Sequence, residues 1–264
     1  MYDFEYHRPN SVDDAVRARG GSEDATFLAG GMTLLPTMKQ RLANPTDLVD
    51  IGAIRDLSGI SEENGRIVIG AMSTHASVAG NDLVKQKIPA LANLARGIGD
   101  PQVRNRGTLG GSIANADPSA DYPAAVLGLG ATVKTDKREI KGDDFFIDMF
   151  ETALEEGELI LSVGFPIPTK AAYAKFPNPA SRYAMVGVFV AEVNGEIRVA
   201  VTGAAPSAFR VPDMEEALRN NFSAEAVNNV KVPADGLNSD LHGSADYRAH
   251  LVTVMARRAV QQLA

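Results

Sequence analysis

The sequence predicts a mixed helix-and-strand fold that is divided into two units. The first fifty residues contain, in order, an apolar strand, a glycine turn, a helix and a second strand, which is the order of a βαβ unit. Four prolines within residues 166–179 favour a linker between units, because proline disrupts regular structure. A strong β-hairpin and a helix come after this segment and predict a second, smaller unit.

Each element of the first unit has a local signal. Ser11 followed by Asp14 resembles a capping box, and Pro36 is compatible with a helix because it falls in the first turn. The predicted elements are a short helix that begins at 11–14 and ends near 20–21, a buried strand at 25–29, a helix at 34–42 and a buried strand at 47–51.

A second region begins near Ile54. Its predicted elements are strands at 66–72, 131–135 and 158–165 and helices at 89–96 and 122–129. Beyond the proline-rich segment, Asn194-Gly195 is the favoured two-residue turn and predicts a hairpin from 185 to 202. Apolar residues at helical spacing predict a last helix from 246 to 263.

Composition excludes several classes of chemistry. The 264 residues include no cysteine and only four histidines, so disulfides, thiolate nucleophiles and cysteine-ligated clusters are excluded and a dense metal site is not expected. The net charge is −7 and the basic residues are scattered, which disfavours nucleic acid as a partner. There is no apolar run of membrane-spanning length and no signal-peptide pattern, so we expect no transmembrane segment and a cytoplasmic location.

Two glycine-rich turns are the most informative feature. Residues 29–33 read Ala-Gly-Gly-Met-Thr, and residues 108–115 read Thr-Leu-Gly-Gly-Ser-Ile-Ala-Asn, followed by small and polar residues up to Asp121. A Gly-Gly pair beside a hydroxyl residue allows backbone N–H groups to wrap an anion, so two such turns predict a dinucleotide. Each turn taken singly is equally compatible with a tight structural turn. The G-x-G-x-x-G fingerprint is absent, which argues against a Rossmann domain.

Single polar residues leave alternatives open. Asp121 is interpreted as a partner of a ribityl hydroxyl or polar ring edge, or as the cap of the helix that starts at Tyr122, and the two roles can coexist. His75 follows a strand and is interpreted as a structural residue, not as an acid–base catalyst. Lys175 and Arg182 read as surface charges from their sequence context alone.

Together, the two turns resemble the two FAD-binding signatures of the molybdenum hydroxylase flavoproteins, the medium subunits of the carbon monoxide dehydrogenase and xanthine dehydrogenase family. Segments 69–75 and 158–163 are similar as well, and the resemblance covers nearly the whole chain. It implies an α+β fold in which a non-Rossmann FAD-binding domain of two subdomains precedes a smaller sheet-plus-helix domain. The expected bounds are 1–166, with subdomains of about 1–54 and 55–166, and 167–264.

The resemblance also implies which residues contact FAD. Residues 27–34 and 108–112 are expected to wrap the diphosphate and its flanks, and the other positions are scattered along the chain. The full set is Phe27, Leu28, Ala29, Gly30, Gly31, Met32, Thr33, Leu34, Ile98, Thr108, Leu109, Gly110, Gly111, Ser112, Asn115, Asp121, Leu161 and Lys175. Met32 departs from the small or polar residue common in the first signature.

As a member of this family the chain is expected to be an oxidoreductase subunit with no catalytic residue of its own. Electrons would pass from 2Fe-2S clusters on a small subunit to FAD on this chain and then to an acceptor, with molybdopterin on a large subunit. A dimer of such heterotrimers is expected. The lack of cysteine agrees with clusters on another polypeptide. Two alternatives stay open: a free-standing FAD-dependent oxidoreductase with its own substrate pocket, and a binding module that has lost its cofactor.

Overall fold

A computed structural model of the chain describes residues 1–263, and its N-terminal unit is built on a parallel sheet of order β1-β3-β2. Its elements are β1 (Glu5–His7), α1 (Val12–Arg19), β2 (Thr26–Leu28), α2 (Leu34–Lys39) and β3 (Asp47–Asp50). The predicted βαβ unit is confirmed as β2-α2-β3. The Ser11 side chain caps α1 by accepting from the Asp14 N–H group. Helix α2 ends three residues earlier than predicted, just before Arg41 takes a left-handed φ of 61°.

The middle unit places six helices against an antiparallel sheet of order β4-β5-β10-β6-β7, with β8 and β9 forming a separate ribbon. Its elements are β4 (Ile60–Glu63), β5 (Arg66–Gly70), α3 (His75–Gly80), α4 (Asp82–Lys87), α5 (Pro89–Arg96), α6 (Pro101–Arg106), α7 (Leu109–Asn115), α8 (Tyr122–Gly128), β6 (Thr132–Thr135), β7 (Glu139–Lys141), β8 (Phe146–Asp148), β9 (Glu151–Thr152) and β10 (Ile160–Pro166). The second glycine turn is not a loop; it is the first turn of α7, which Thr108 caps.

The C-terminal unit is an antiparallel sheet covered on one face by two helices. Its elements are β11 (Lys170–Pro177), β12 (Ala184–Val193), β13 (Glu196–Thr202), β14 (Phe209–Arg210), α9 (Pro212–Asn220) and α10 (Ala245–Gln261). The hairpin prediction is confirmed: Asn194 and Gly195 both have positive φ, 52° and 82°, as a type I′ turn requires.

The expectation of irregular structure throughout the proline-rich segment is wrong. Pro166 ends β10 and Pro177 ends β11, so residues 170–177 form an eight-residue strand between these prolines. Strand β11 lies at the edge of its sheet and pairs with β12 alone. Proline is tolerated on an edge strand because the missing N–H group can lie on the side that has no neighbouring strand. Only residues 167–169 connect the two strands.

A shared core joins the C-terminal sheet to the middle unit. Side chains alternate along β12, as they do on any strand. Val186, Val188 and Val190 pack towards α9 and α10. Phe189 and Ala191 belong to the core of the middle unit. The sheet is therefore buried on both faces, and the segment at 167–169 is a connection between packed units.

No helix in residues 1–263 is both long and apolar enough to span a membrane.

We predict that Phe189→Ala lowers the free energy of unfolding by about 3–5 kcal/mol, the usual cost of emptying an aromatic site in a core. Phe189 is fully buried, and a Cβ on Gly128 of α8 would approach its ring to 2.7 Å. Calorimetry is expected to give one unfolding transition, shifted to lower temperature. The matched control is Phe150→Ala, because Phe150 is 58% exposed. Two separate transitions, only one of them shifted, would contradict a shared core.

A buried, ion-paired carboxylate before β10 generates a second prediction. The Glu158 side chain is 0% exposed and accepts hydrogen bonds from the Thr135 hydroxyl (2.6 Å) and the Arg138 guanidinium (3.0 and 3.1 Å). Burial alone would raise the pKa of Glu158, but these hydrogen bonds outweigh it and lower the pKa to about 2. Because the folded pKa lies below the unfolded value, the ionised carboxylate stabilises the fold above about pH 4.5.

We therefore expect Glu158→Gln to lower the free energy of unfolding by about 3 kcal/mol at pH 7, the equivalent of this pKa shift. The difference from the wild type should shrink as the pH falls from 4.5 towards 2, as chemical denaturation at several pH values would measure. Glu156→Gln is the control, because Glu156 is 69% exposed. A difference that does not change with pH would contradict the assignment.

Candidate functional site

A cavity of about 900 Å³ opens where three parts of the chain converge. They are the first glycine turn, helix α7 with its neighbouring loops, and residues 180–183 of the C-terminal unit. This volume lies near the upper end of the range for ligand pockets. The predicted site residues in its wall are Phe27, Ala29, Gly30, Gly31, Met32, Thr33, Leu34, Ile98, Thr108, Gly110, Gly111, Ser112, Asn115 and Asp121. Leu28, Leu109, Leu161 and Lys175 do not line it.

Direct backbone contact joins the N-terminal unit to the middle unit. A Cβ on Gly30 would lie 2.1 Å from the main-chain oxygen of Arg106 and 3.0 Å from the Cα of Gly107. Any side chain at Gly30 would therefore collide with fixed main-chain atoms. Gly31 serves a different purpose, since its φ of 72° turns the chain in a way that other residues rarely adopt.

The first glycine turn presents unused donors. None of the four main-chain N–H groups from Gly30 to Thr33 donates a hydrogen bond to another atom of residues 1–263. All four residues line the cavity. Successive free N–H groups in a tight turn form a concave site for an anion. The first turn thus has the property that the sequence predicts for it.

The second glycine pair differs from the prediction. The N–H groups of residues 109–112 donate, in order, to the main-chain oxygens of Ser73 and Ala71, the Thr108 hydroxyl and the Thr108 main-chain oxygen, at 3.0, 2.8, 3.1 and 3.0 Å. They are not free for a ligand. Gly110 is instead required by packing, because a Cβ there would lie 2.6 Å from the Cβ of Ala71. Close packing of α7 on the chain after β5 accounts for this glycine.

Helix α7 contributes side chains to the cavity. Ser112 and Asn115 are three residues apart, which places them on the same face of the helix. Neither side chain hydrogen-bonds to another group in residues 1–263. The opposite face, with Leu109 and Ile113, is fully buried in the core. The cavity face therefore offers one hydroxyl and one carboxamide to a ligand.

Asp121 occupies the N-cap position of α8, as the capping interpretation expects, but its side chain makes no capping hydrogen bond. Its carboxylate accepts from the Tyr173 hydroxyl at 2.6 Å and lies 2.9 Å from the Lys175 ammonium group. Burial raises the pKa of Asp121, and the Lys175 charge opposes that rise. Lys175 also donates to the main-chain oxygen of Gly97 at 3.0 Å. Lys175 is thus not a free surface charge: it connects β11 to the ends of α5 and α8.

The loop at 180–183 forms the third side of the cavity. The Asn178 carboxamide oxygen holds this loop by accepting from the N–H groups of Ala180 and Ser181, at 2.9 and 3.2 Å. Arg182 is exposed, as its sequence context indicates, but it also lines the cavity. The Tyr183 side chain is 49% exposed and lines the same wall. No local sequence pattern in this loop indicates that it lies beside α7, about 70 residues earlier in the chain.

His75 lies in the cavity wall and is only 5% exposed. Burial, with a smaller contribution from the Arg104 charge, lowers the pKa of His75 to about 4, so the ring is neutral near pH 7. The ring packs against Tyr122, with 5.4 Å between the centroids. The sequence interpretation of His75 as a structural residue did not place it in a cavity wall, and no local sequence pattern shows that a Cβ on Gly107 would lie 2.6 Å from its ring.

Chemically, the wall offers hydrogen-bond donors that suit the binding of an anion. Glu158 and Asp121 are buried and ion-paired, and His75 is neutral. The N–H groups of the first turn and the polar side chains of α7 give the cavity neutral donors, and the wall also contains Asp100, Asp117 and Arg182. Neutral donors stabilise an anion without a titrating partner.

Comparison with known proteins agrees with this geometry. Residues 2–168 match the family described as the FAD binding domain in molybdopterin dehydrogenase, and residues 171–263 match the CO dehydrogenase flavoprotein C-terminal domain. The carbon monoxide dehydrogenase medium chain of Hydrogenophaga pseudoflava is 37% identical over 97% of this chain and 96% of its own length. The nicotine 6-hydroxylase medium subunit of Paenarthrobacter nicotinovorans is 34% identical, over 97% of this chain and 95% of its own length.

A solved structure extends the likeness to three dimensions. The structure of reconstituted CO dehydrogenase from Oligotropha carboxidovorans contains a chain that superimposes on this one with a TM-score of 0.91 and 34% identity, covering 98% of this chain and 97% of that chain. The expected α+β fold is confirmed by this likeness. The chain belongs to the family of FAD-binding domains of molybdopterin dehydrogenases, with a C-terminal domain of the CO dehydrogenase flavoprotein type.

Proposed function

We propose that this chain is the FAD-binding medium subunit of a molybdenum hydroxylase complex and passes electrons from iron–sulfur clusters on a partner subunit to a terminal acceptor. Family membership supports the proposal, as do relatives that are themselves named medium chains or medium subunits. The observation that carries it is the row of four free N–H groups from Gly30 to Thr33 at one end of a dinucleotide-sized cavity.

The residues present fit FAD. Its diphosphate needs several hydrogen-bond donors in a confined space, and the first turn supplies them without a side chain in the way. The hydroxyl of Ser112 and the carboxamide of Asn115 supply further polar contacts on the facing wall. Ile98 and Leu34 add apolar surface of the kind that lines cofactor sites.

This assignment divides the predicted site residues by role. We assign the cavity-lining set to direct contact with FAD, and the set behind the wall to support. Lys175 acts through Asp121: it forms an ion pair with this aspartate, and Asp121 lines the cavity. Leu109 is fully buried and anchors α7 in the core. The Leu28 side chain packs closely behind the first turn: a Cβ added to Gly31 would lie 3.1 Å from it.

When bound, FAD supplies exchange of one or two electrons, which suits a converter between different carriers. The chain supplies the binding site and its orientation, and we assign no acid, base or nucleophile to it. Because the chain has no cysteine, the iron–sulfur clusters belong to another polypeptide, as does molybdopterin. We propose a large molybdopterin subunit and a small iron–sulfur subunit as partners, assembled as a dimer of heterotrimers. A cytoplasmic location stays a prediction.

The alternative of a free-standing flavoenzyme has less support. The relatives named above are subunits or chains of larger enzymes. Glu158 and Asp121 in the wall are ion-paired and His75 is neutral near pH 7, so none of these three is arranged as a free acid for a substrate.

The proposal predicts that the purified full chain takes up FAD, with the visible absorption of a bound flavin, and oxidises no simple substrate alone. Co-expression with a molybdopterin subunit and an iron–sulfur subunit is expected to give a complex in which substrate reduces the flavin. A chain that takes up no FAD, alone or in the complex, would overturn the proposal. Rapid turnover by the chain alone would favour the free-standing alternative.

A single charge in the first turn tests the role of its N–H groups. Thr33 is exposed, lines the cavity and makes no side-chain cap for α2, so its replacement leaves the fold intact. Thr33→Glu is expected to weaken FAD binding at least tenfold, because a carboxylate there repels the diphosphate and competes for the same donors.

The matched control is Thr33→Gln, which has the same size without the charge and should retain most of the affinity. Fluorescence titration with FAD would measure both variants, and thermal melting without FAD would check their folding. Equal affinities for the two variants would place the diphosphate elsewhere.

A further inference from the structure

His75 carries two ring nitrogens in different surroundings. Nδ1 is sealed in the protein and has no hydrogen-bond partner within residues 1–263. Nε2 also lacks a partner there, but it is not sealed, and His75 contributes to the cavity wall. An unpartnered imidazole that is about 95% buried and reaches a cavity is a polar group available to a ligand.

The proton position on this ring follows from burial. A buried N–H group without a partner is rarer than a buried acceptor without one. The neutral tautomer with its proton on Nε2 therefore costs less, because it leaves only an acceptor at the sealed Nδ1. The ring then carries its donor on Nε2, the nitrogen that is not sealed, and His75 is part of the cavity wall.

Gly107 keeps this donor uncovered. A Cβ on Gly107 would lie 2.6 Å from Nε2, so any side chain there would displace the ring or cover the nitrogen. The conformation of Gly107 is ordinary, φ −60° and ψ 138°, so the backbone does not require glycine. The constraint is close packing: a Cβ there would meet the His75 ring first and then the main-chain oxygen of Val103, at 3.0 Å.

The same glycine connects His75 to the first turn. A Cβ on Gly30 would lie 3.0 Å from the Cα of Gly107. Gly30 is the first of the four residues with free N–H groups. The main-chain N–H of His75 donates to the Gly107 main-chain oxygen at 3.0 Å, which fixes the start of α3 beside this glycine. His75, Gly107 and Gly30 are therefore successive neighbours in the cavity wall.

We infer that Nε2–H of His75 donates a hydrogen bond to a diphosphate oxygen of the bound dinucleotide. Glycine at position 107 leaves the space beside Nε2 free for this hydrogen bond. The inference rests on the proposed function. His75 is then a cofactor-binding residue outside the two glycine signatures. Tyr122, whose ring packs on the imidazole, is a positioning residue for it.

The test uses three replacements of His75 in the full chain. Glutamine places its amide nitrogen where Nε2 lies, asparagine places it nearer the position of Nδ1, and phenylalanine keeps the ring without a donor. We expect His75→Gln to bind FAD within about threefold of the wild type, and His75→Phe and His75→Asn to bind about tenfold more weakly or worse. Fluorescence titration gives the affinities, and melting without FAD separates them from folding.

Gly107→Ala is the second arm, because its Cβ would either cover Nε2 or displace the ring while His75 is retained, and it should weaken FAD binding as His75→Phe does. Its control is Gly80→Ala, where a Cβ meets open space. The ³¹P spectrum of bound FAD should change in His75→Phe and be restored in His75→Gln.

Three results would overturn the inference: wild-type affinity in His75→Phe, no rescue by a stably folded His75→Gln, or an unchanged ³¹P spectrum despite lost affinity. Failure of the wild type itself to bind FAD would instead overturn the proposed function.

Discussion

The contact of Gly30 with the main chain of Arg106 and Gly107 is the constraint on which the cavity depends. The first unit and the middle unit have separate sheets, and at this point their backbones touch with no side chain between them. The contact places the free N–H groups of the first turn opposite helix α7. A Cβ at Gly30 would separate the two walls, so the geometry of the site depends on the absence of one side chain.

The other two walls depend on packing that is distant from any ligand. Helix α7 is held against the chain after β5 by the close approach of Gly110 to Ala71 and by main-chain hydrogen bonds. The loop at 180–183 is carried by the C-terminal sheet, which shares Phe189 with the core of the middle unit. The Lys175–Asp121 pair adds a polar connection between the same two units. Elements from three separate sheets and their helices thus position the walls of one cavity.

Much of this architecture follows from sequence, because its signals are local. The βαβ unit, the Asn194-Gly195 hairpin and the last helix were predictable from turn chemistry and apolar spacing. The start of α7 was not, since two adjacent glycines disfavour a helix until the Thr108 cap and Ala71 are in place. The partners of Asp121, and the strand between Pro166 and Pro177, depend on contacts far apart in sequence that no local pattern contains.

The central claim is that the first glycine turn binds the diphosphate through its backbone, whereas the second supports α7. Hydrogen exchange at single amides, measured with and without FAD, tests it most directly. The account predicts that the N–H groups from Gly30 to Thr33 gain strong protection when FAD binds. Those of Gly110 and Gly111, already bonded within the protein, should change little. Protection confined to the second turn, with the first turn still exchanging freely, would contradict the account.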